Sequence, residues 1–251
     1  MLYKLSVLAF NTPLLQRAMR TLKKISSRKC AVDNTALIKK YAPGKSFADI
    51  GCMWGIHGAN SFLAEECGAT KTIALDLYPE SEMFLEEKRT RRSAVEFVLG
   101  DINISETTER IGVCEVVHCS GVLYHTPDPF HLLRRLRSIC KETLIINTQS
   151  IPEMHGLRNA AVFYPFLPEK QRRIWNRGTG SQKAIRGPYE PESGYGNWFW
   201  GLTPSSIESM LQCAGFEVKE RFVSRFTCIF VCRTVPTQFV AESGAWTTPK
   251  N

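Results

Sequence analysis

His125 ends the run Glu115-Val116-Val117-His118-Cys119-Ser120-Gly121-Val122-Leu123-Tyr124-His125, where an apolar stretch gives way to a glycine, then a phenol and an imidazole. An imidazole titrates near neutral pH and can take a proton from a reacting group, and a neighbouring phenol can orient a ligand. His125 and Tyr124 are therefore the candidate catalytic residues. The alternative for His125 is support of the loop before Pro129. His118 lies inside the apolar run, where a buried, hydrogen-bonded histidine is expected. Asp128, between two prolines, is expected to shape the turn into the next helix. Upstream, three apolar runs end in residues suited to a different task. Phe47-Ala48-Asp49-Ile50-Gly51-Cys52-Met53-Trp54-Gly55 enters a glycine turn, which lets the backbone bend tightly and approach a ligand. Thr72-Ile73-Ala74-Leu75-Asp76 ends in an acid that can accept both hydroxyl hydrogens of a ribose. Gly100-Asp101-Ile102 offers an acceptor for an adenine amine beside an apolar contact. Each feature is weak by itself; in succession they point to a nucleoside-bearing ligand.

For these run ends to meet one ligand, the runs must lie side by side and point the same way. The pattern provides for that. Ser46–Gly51, Thr72–Asp76, Glu96–Leu99, Glu115–Cys119 and Thr143–Asn147 read as strands, and helix-like stretches start near Gly58, Ser81, Ser105 and Pro129. Strand and helix in alternation imply right-handed crossovers and a parallel sheet with helices on both faces. In such an α/β fold, ligands bind at the carboxyl ends of the strands. Later, Thr203-Pro204 opens a helix, Ala214-Gly215-Phe216 closes it, and two strands follow.

These residues resemble the class I S-adenosylmethionine-dependent methyltransferases. Asp49-Ile50-Gly51-Cys52-Met53-Trp54-Gly55 is similar to their first motif, Asp76 to their ribose acid, and Asp101-Ile102 to their adenine contact. The resemblance covers residues 35–150 and resumes at Leu202–Cys232. It implies a Rossmann-like, seven-stranded, mostly parallel sheet and methyl transfer from S-adenosylmethionine. It also implies a cofactor site at Asp49, Gly51, Cys52, Gly55, Asp76, Leu77, Asp101, Ile102, Cys119 and Ser120. A dinucleotide dehydrogenase shares the glycine turn, but Met53 stands where its middle glycine would. Gly121-Val122-Leu123-Tyr124-His125 is similar to a loop of the tRNA wobble-uridine carboxymethyltransferases and of related small-molecule methyltransferases. In the tRNA enzymes the tyrosine of that loop helps hold a carboxylated cofactor. No segment before residue 46 aligns with the lysine-bearing N-terminal region of those enzymes. Methyl transfer is an in-line displacement, so nucleophile, methyl carbon and sulfur must be aligned and any proton on the nucleophile removed.

The stretch Ile151–Gly201 exceeds an ordinary strand-to-helix loop. Aromatic residues interleave there with arginines, which reads as a substrate lid. Arg158, Arg172, Arg173 and Trp175 are its candidate substrate contacts, Arg177, Lys183 and Arg186 its other basic residues, and Trp198 to Trp200 its structural part. Residues 33–150 are read as the cofactor-binding core, 151–201 as the lid, 202–235 as the closing helix and strand pair, and 236–251 as a tail. Residues 1–32 carry no acid and seven basic residues. Leu15, Ala18, Leu22 and Ile25 recur there at helical spacing after Pro13, which suggests an amphipathic helix. Packing on the core is its first reading; resting on nucleic acid or an anionic membrane, and organelle targeting, are the others.

With 251 residues, 43% hydrophobic and 22% charged, the chain has the composition of a globular protein rather than a disordered or fibrous one. Its apolar runs are too short to span a bilayer. A formal charge of +8 favours anionic partners without naming one. Nine cysteines form no CxxC pair, and those four apart on a strand lie roughly 13 Å apart, too far for a disulfide or shared metal. Reduced thiols and a cytoplasmic location are expected, with no metal site. The expected function is methylation, at oxygen, of a small or medium-sized, polar or anionic acceptor. The alternatives are a tRNA-modifying enzyme, for which no RNA-binding module is recognisable, and a non-catalytic relative of the fold that binds cofactor or a partner. Oligomeric state is not legible in the sequence.

Overall fold

Asp128 accepts a hydrogen bond from the His131 N–H (2.9 Å) and Pro129 occupies the first turn, so the helix Pro129–Ile139 starts where the sequence places it. The same device recurs at two other helix starts. Ser81 caps the helix Glu82–Arg91 through the Phe84 N–H, and Thr203 caps Pro204–Cys213 through the Ser206 N–H. The computed structural model describes residues 34–154, 156–175, 188–224 and 226–236, without the side chains of 173–175. The basic N-terminal stretch, the side chains of Arg173 and Trp175, the residues Arg177, Lys183 and Arg186, and the end of the chain from residue 237 lie outside the described residues.

In chain order the elements are α1 (Asn34–Tyr41), β1 (Ser46–Ile50), α2 (Ala59–Glu66), β2 (Lys71–Asp76), α3 (Glu82–Arg91), β3 (Glu96–Leu99), α4 (Ser105–Ile111) and β4 (Cys114–Ser120). Then follow α5 (Pro129–Ile139), β5 (Cys140–Gln149), β6 (Ala161–Phe163), α6 (Glu169–Trp175), β7 (Trp200–Leu202), α7 (Pro204–Cys213), β8 (Phe216–Val223) and β9 (Thr227–Thr234). Seven strands form one sheet in the order β3-β2-β1-β4-β5-β9-β8. The first five are parallel, and β9 runs antiparallel to both β5 and β8. The expected seven-stranded, mostly parallel α/β sheet is therefore what the chain builds. β6 and β7 make a separate antiparallel pair within the stretch that joins β5 to α7.

Alternate residues of each strand feed different cores, as the pleat requires. Ala48, Ile50, Ile73, Leu75, Val117, Leu144 and Ile146 pack with Leu132, Leu133 and Leu136 of α5 and Ile207 and Leu211 of α7. Phe47, Val116, Ile145, Ile229 and Val231 face the other way, onto Leu37 and Ile38 of α1 and Ala64 of α2. Burial of each such leucine contributes about 1.5–3 kcal/mol relative to exposure. Strand order reverses between β1 and β4: β2 and β3 lie on one side, and β5 and its antiparallel partners on the other. A crevice opens at the carboxyl ends of strands flanking such a reversal. Among the described residues no helix is long and apolar enough to cross a membrane.

Candidate active site

The turn after β1 is drawn tightly against the neighbouring strand ends. Gly51 has φ +82°, and a Cβ there would lie 2.5 Å from Val122 Cγ2 and 2.9 Å from the Ser120 carbonyl oxygen. Its N–H donates to the Leu75 carbonyl of β2 (2.9 Å). Asp76, at the end of β2, then ties the turn down, its Oδ2 accepting the Met53 N–H (2.7 Å) and its Oδ1 the Tyr78 N–H (3.0 Å). Each carboxylate oxygen retains acceptor capacity. Burial raises the pKa of Asp76, and the backbone N–H groups of Tyr78 and Met53 partly offset this. Gly55, at φ +72°, has no atom within 4 Å of a would-be Cβ, so this part of the turn is open.

Leu77 is partly exposed beside Asp76, and Trp54 is 79% exposed and packs its ring on Tyr78 at 5.5 Å. Sequence reasoning passed over this aromatic pair. A tryptophan between Gly51 and Gly55 was the available signal, because a large apolar ring in a loop has little core to join.

Asp101, after β3, uses both oxygens. Oδ1 accepts the backbone and side-chain N–H groups of Asn103 (2.8 and 3.0 Å), and Oδ2 accepts the Tyr195 hydroxyl (2.8 Å). Ile102 is buried in the core beneath. The Asp49 carboxylate is wholly buried, its Oδ2 bound by the Ser61 hydroxyl (2.7 Å) and its Oδ1 by His118 Nδ1 (2.8 Å). Its side chain thus holds α2 and β4 to the end of β1. The thiols of Cys52 and Cys119 are also buried, and desolvation pushes both pKa values up. Ser120 Oγ accepts from Asn34 Nδ2 (3.3 Å), and Asn34 Oδ1 accepts from Asn147 Nδ2 (3.1 Å), so the start of α1 is tied to the ends of β4 and β5.

The loop after β4 meets the stretch that joins β5 to α7. The Tyr124 carbonyl accepts the N–H groups of Phe199 (2.9 Å) and Trp200 (3.3 Å), and Trp200 Nε1 donates to the Pro127 carbonyl (2.9 Å). The Tyr124 ring packs on Trp198 at 4.1 Å and on His125 at 4.2 Å, and Tyr164 approaches Trp198 at 6.2 Å. The Tyr124 hydroxyl lies 3.6 Å from a would-be Cβ on Gly121, and burial pushes its pKa up to about 12. His125 Nδ1 is 2.8 Å from the carbonyl oxygen of Asn197. A carbonyl only accepts, so Nδ1 carries the hydrogen, and in the neutral ring Nε2 carries the lone pair. Burial lowers the His125 pKa, and the Asn197 carbonyl offsets part of that effect.

The structure thus brings Tyr124, His125 and the insertion aromatics together. Arg158 is exposed, and Arg172 Nε donates to the Leu167 carbonyl (2.9 Å) within the insertion. Among the described residues no group of three or more His, Cys, Asp or Glu side chains could hold a metal.

This topology recurs in known structures. The N-terminal domain of EvdMO1, crystallised with SAH bound, superposes with a TM-score of 0.55 at 18% identity, covering 82% of each chain. The fold is that of the S-adenosylmethionine-dependent methyltransferases. The Burkholderia thailandensis 1,6-didemethyltoxoflavin-N1-methyltransferase, with 1,6-didemethyltoxoflavin and S-adenosylhomocysteine bound, superposes with a TM-score of 0.56 at 11% identity. That match covers 94% of this chain and 91% of that one. A curated relative, the tRNA U34 carboxymethyltransferase of Campylobacter hominis, is 33% identical over 99 residues. Those residues are 38% of this chain and span about a third (32%) of the relative's length. No protein-family model matches the chain.

Proposed function

We propose that the protein is a cytoplasmic S-adenosylmethionine-dependent methyltransferase that methylates an oxygen of a small or medium-sized acceptor. The observation that carries this reading is the His125 Nδ1 hydrogen bond to the Asn197 carbonyl, which leaves the lone pair of the neutral ring on Nε2, in the loop that follows β4. The residues present fit the cofactor. Asp76 has spare acceptor capacity that ribose hydroxyls could use, the Gly55 turn is open, and Asp101 Oδ2, which takes one bond, can accept a second from an adenine amine. When bound, S-adenosylmethionine supplies an electrophilic methyl group on a sulfonium sulfur. His125 Nε2 would take the proton of the acceptor hydroxyl as its oxygen gained the methyl and the sulfonium carbon–sulfur bond broke, and burial favours the neutral imidazole that this task needs. RNA is a less favoured partner.

Native mass spectrometry of the purified protein, followed by titration with S-adenosylmethionine, tests the reading. Bound S-adenosylmethionine or its demethylated product supports it, whereas binding of NAD alone would overturn it. A second reading, modification of tRNA with a carboxylated cofactor, draws on the local likeness to the Campylobacter enzyme and on the +8 charge. A carboxylated cofactor in the same spectra would move it to first place. Asp76→Ala removes the ribose acceptor and the anchor of Met53, and is expected to weaken cofactor binding by about 1–3 kcal/mol in calorimetry. An unchanged affinity would remove Asp76 from the site. Because burial raises its pKa, the loss of affinity in acid should begin at a higher pH than for an ordinary aspartate.

A further inference from the structure

One short loop touches both Asp101, after β3, and His125, after β4. On the nucleoside side, the Tyr195 hydroxyl donates to Asp101 Oδ2 at 2.8 Å. Two residues on, the Asn197 carbonyl accepts from His125 Nδ1 at 2.8 Å. Between these contacts the buried Asn197 side chain closes the loop on itself. Its Nδ2 donates to the carbonyls of Glu190 (2.7 Å) and Gly194 (3.0 Å), and its Oδ1 accepts the Glu190 N–H (3.1 Å). The Asn197 N–H adds a bond to the Gly194 carbonyl (3.2 Å). A loop bonded this way moves as a unit, so displacement of Tyr195 reaches the Asn197 carbonyl.

The acceptors around Tyr195 suit a ligand that carries an amine. Asp101 Oδ1 is filled by the two N–H groups of Asn103, so Oδ2 is the oxygen with capacity to spare. Asn103 Oδ1, on the amide that binds Asp101, is buried without a hydrogen-bond partner. A carboxylate oxygen can accept twice, so a nucleoside amine and the Tyr195 hydroxyl can share Oδ2.

We propose that Asn197 is a positioning residue for His125, and that the Tyr195–Asp101 contact makes this positioning depend on a nucleoside bound at Asp101. The inference rests on the methyltransferase reading, in which Asp101 meets adenine and His125 is the base. The nucleoside amine fixes the Asp101 carboxylate, the carboxylate holds Tyr195, the loop holds the Asn197 carbonyl, and the carbonyl keeps the hydrogen on Nδ1 and the lone pair on Nε2.

The test is nitrogen-15 NMR of histidine-labelled protein, with S-adenosylhomocysteine as probe and the His125 signal assigned by its loss in His125→Gln. In the unsubstituted protein His125 is expected as the Nδ1–H tautomer, and the probe is expected to slow solvent exchange of that hydrogen by about fivefold or more, the scale of one shared hydrogen bond. Tyr195→Phe is expected to bind the probe roughly tenfold more weakly. At saturation it should show no such slowing. Asn197→Ala should lose the Nδ1–H signature with or without probe. Probe binding without any change at His125, or an equal slowing in Tyr195→Phe, would overturn the coupling alone. Failure of the unsubstituted protein to bind the probe would overturn the cofactor reading and the coupling together.

Discussion

His125→Ala is expected to lower turnover by about 10²–10⁴-fold, the range that loss of a positioned general base produces. Affinity for S-adenosylmethionine should change little, because the groups assigned to the nucleoside are Asp76 and Asp101. The pH profile provides a second readout. Burial lowers the His125 pKa below its ordinary value of 6.5. The neutral, proton-accepting form therefore persists into mildly acidic solution. Activity should be level through neutral pH and fall about tenfold per pH unit once the pH drops below the lowered pKa. His125→Ala should abolish that limb of the profile. Turnover close to normal on the true acceptor would return His125 to a loop-supporting role, in which its bond to Asn197 serves only to hold the insertion in place.

A comparably large effect is expected at the first glycine of the turn. Gly51 sits at φ +82°, where a side chain is strained, and its Cβ would approach Val122 Cγ2 to 2.5 Å and the Ser120 carbonyl oxygen to 2.9 Å. Val122 can rotate away, but Ser120 O is backbone at the end of β4, so relief requires the ends of β1 and β4 to part. Strain and overpacking together cost about 2–5 kcal/mol. Gly51→Ala should therefore lower the denaturant midpoint sharply and weaken cofactor binding as well. Gly55→Ala is the internal comparison. With φ +72° and no neighbour within 4 Å, it carries the backbone strain of about 1–2 kcal/mol alone. Equal destabilisation of the two variants, measured by urea unfolding, would show that the close approach to Ser120 costs nothing.

Much of the fold was legible because the signals for it are local. The five parallel strands fall within a few residues of the apolar runs, and Ser81, Asp128 and Thr203 cap helices where their types and spacing place caps. Asp128 illustrates this: an acid before Pro129 has few better uses than the His131 N–H three residues on. The candidate site was legible in part. Asp76 stands at the end of β2 with acceptor capacity left over, as its position after an apolar run suggested. Asp49 occupies the same kind of position, yet its carboxylate is wholly buried between Ser61 and His118. Nothing adjacent to Asp49 in the chain distinguishes it from Asp76, since His118 joins it only when β1 pairs with β4.

The insertion shows the limit more sharply. Interleaved aromatics and arginines read as a lid in which Trp198 to Trp200 are structural and one or two of the arginines meet substrate. In the structure Trp198 packs on Tyr124, and Arg172 is turned to a carbonyl of its own segment. Composition shows that a segment has rings and charges to offer; the path of the chain decides which of them face the crevice.

By itself the sequence determined the alternation of strand and helix, the parallel sheet that follows from it, and the end of the sheet where chemistry is placed. Hydrophobic period, caps and glycine turns act over a few residues, so they are written in the order of the chain. Tertiary structure alone decided which carboxylate is wholly buried, which nitrogen of His125 carries the hydrogen, and that Tyr195 reaches Asp101. The last two belong to hydrogen bonds between residues 72 and 94 positions apart, and such a bond exists only once the intervening chain has folded back to close it.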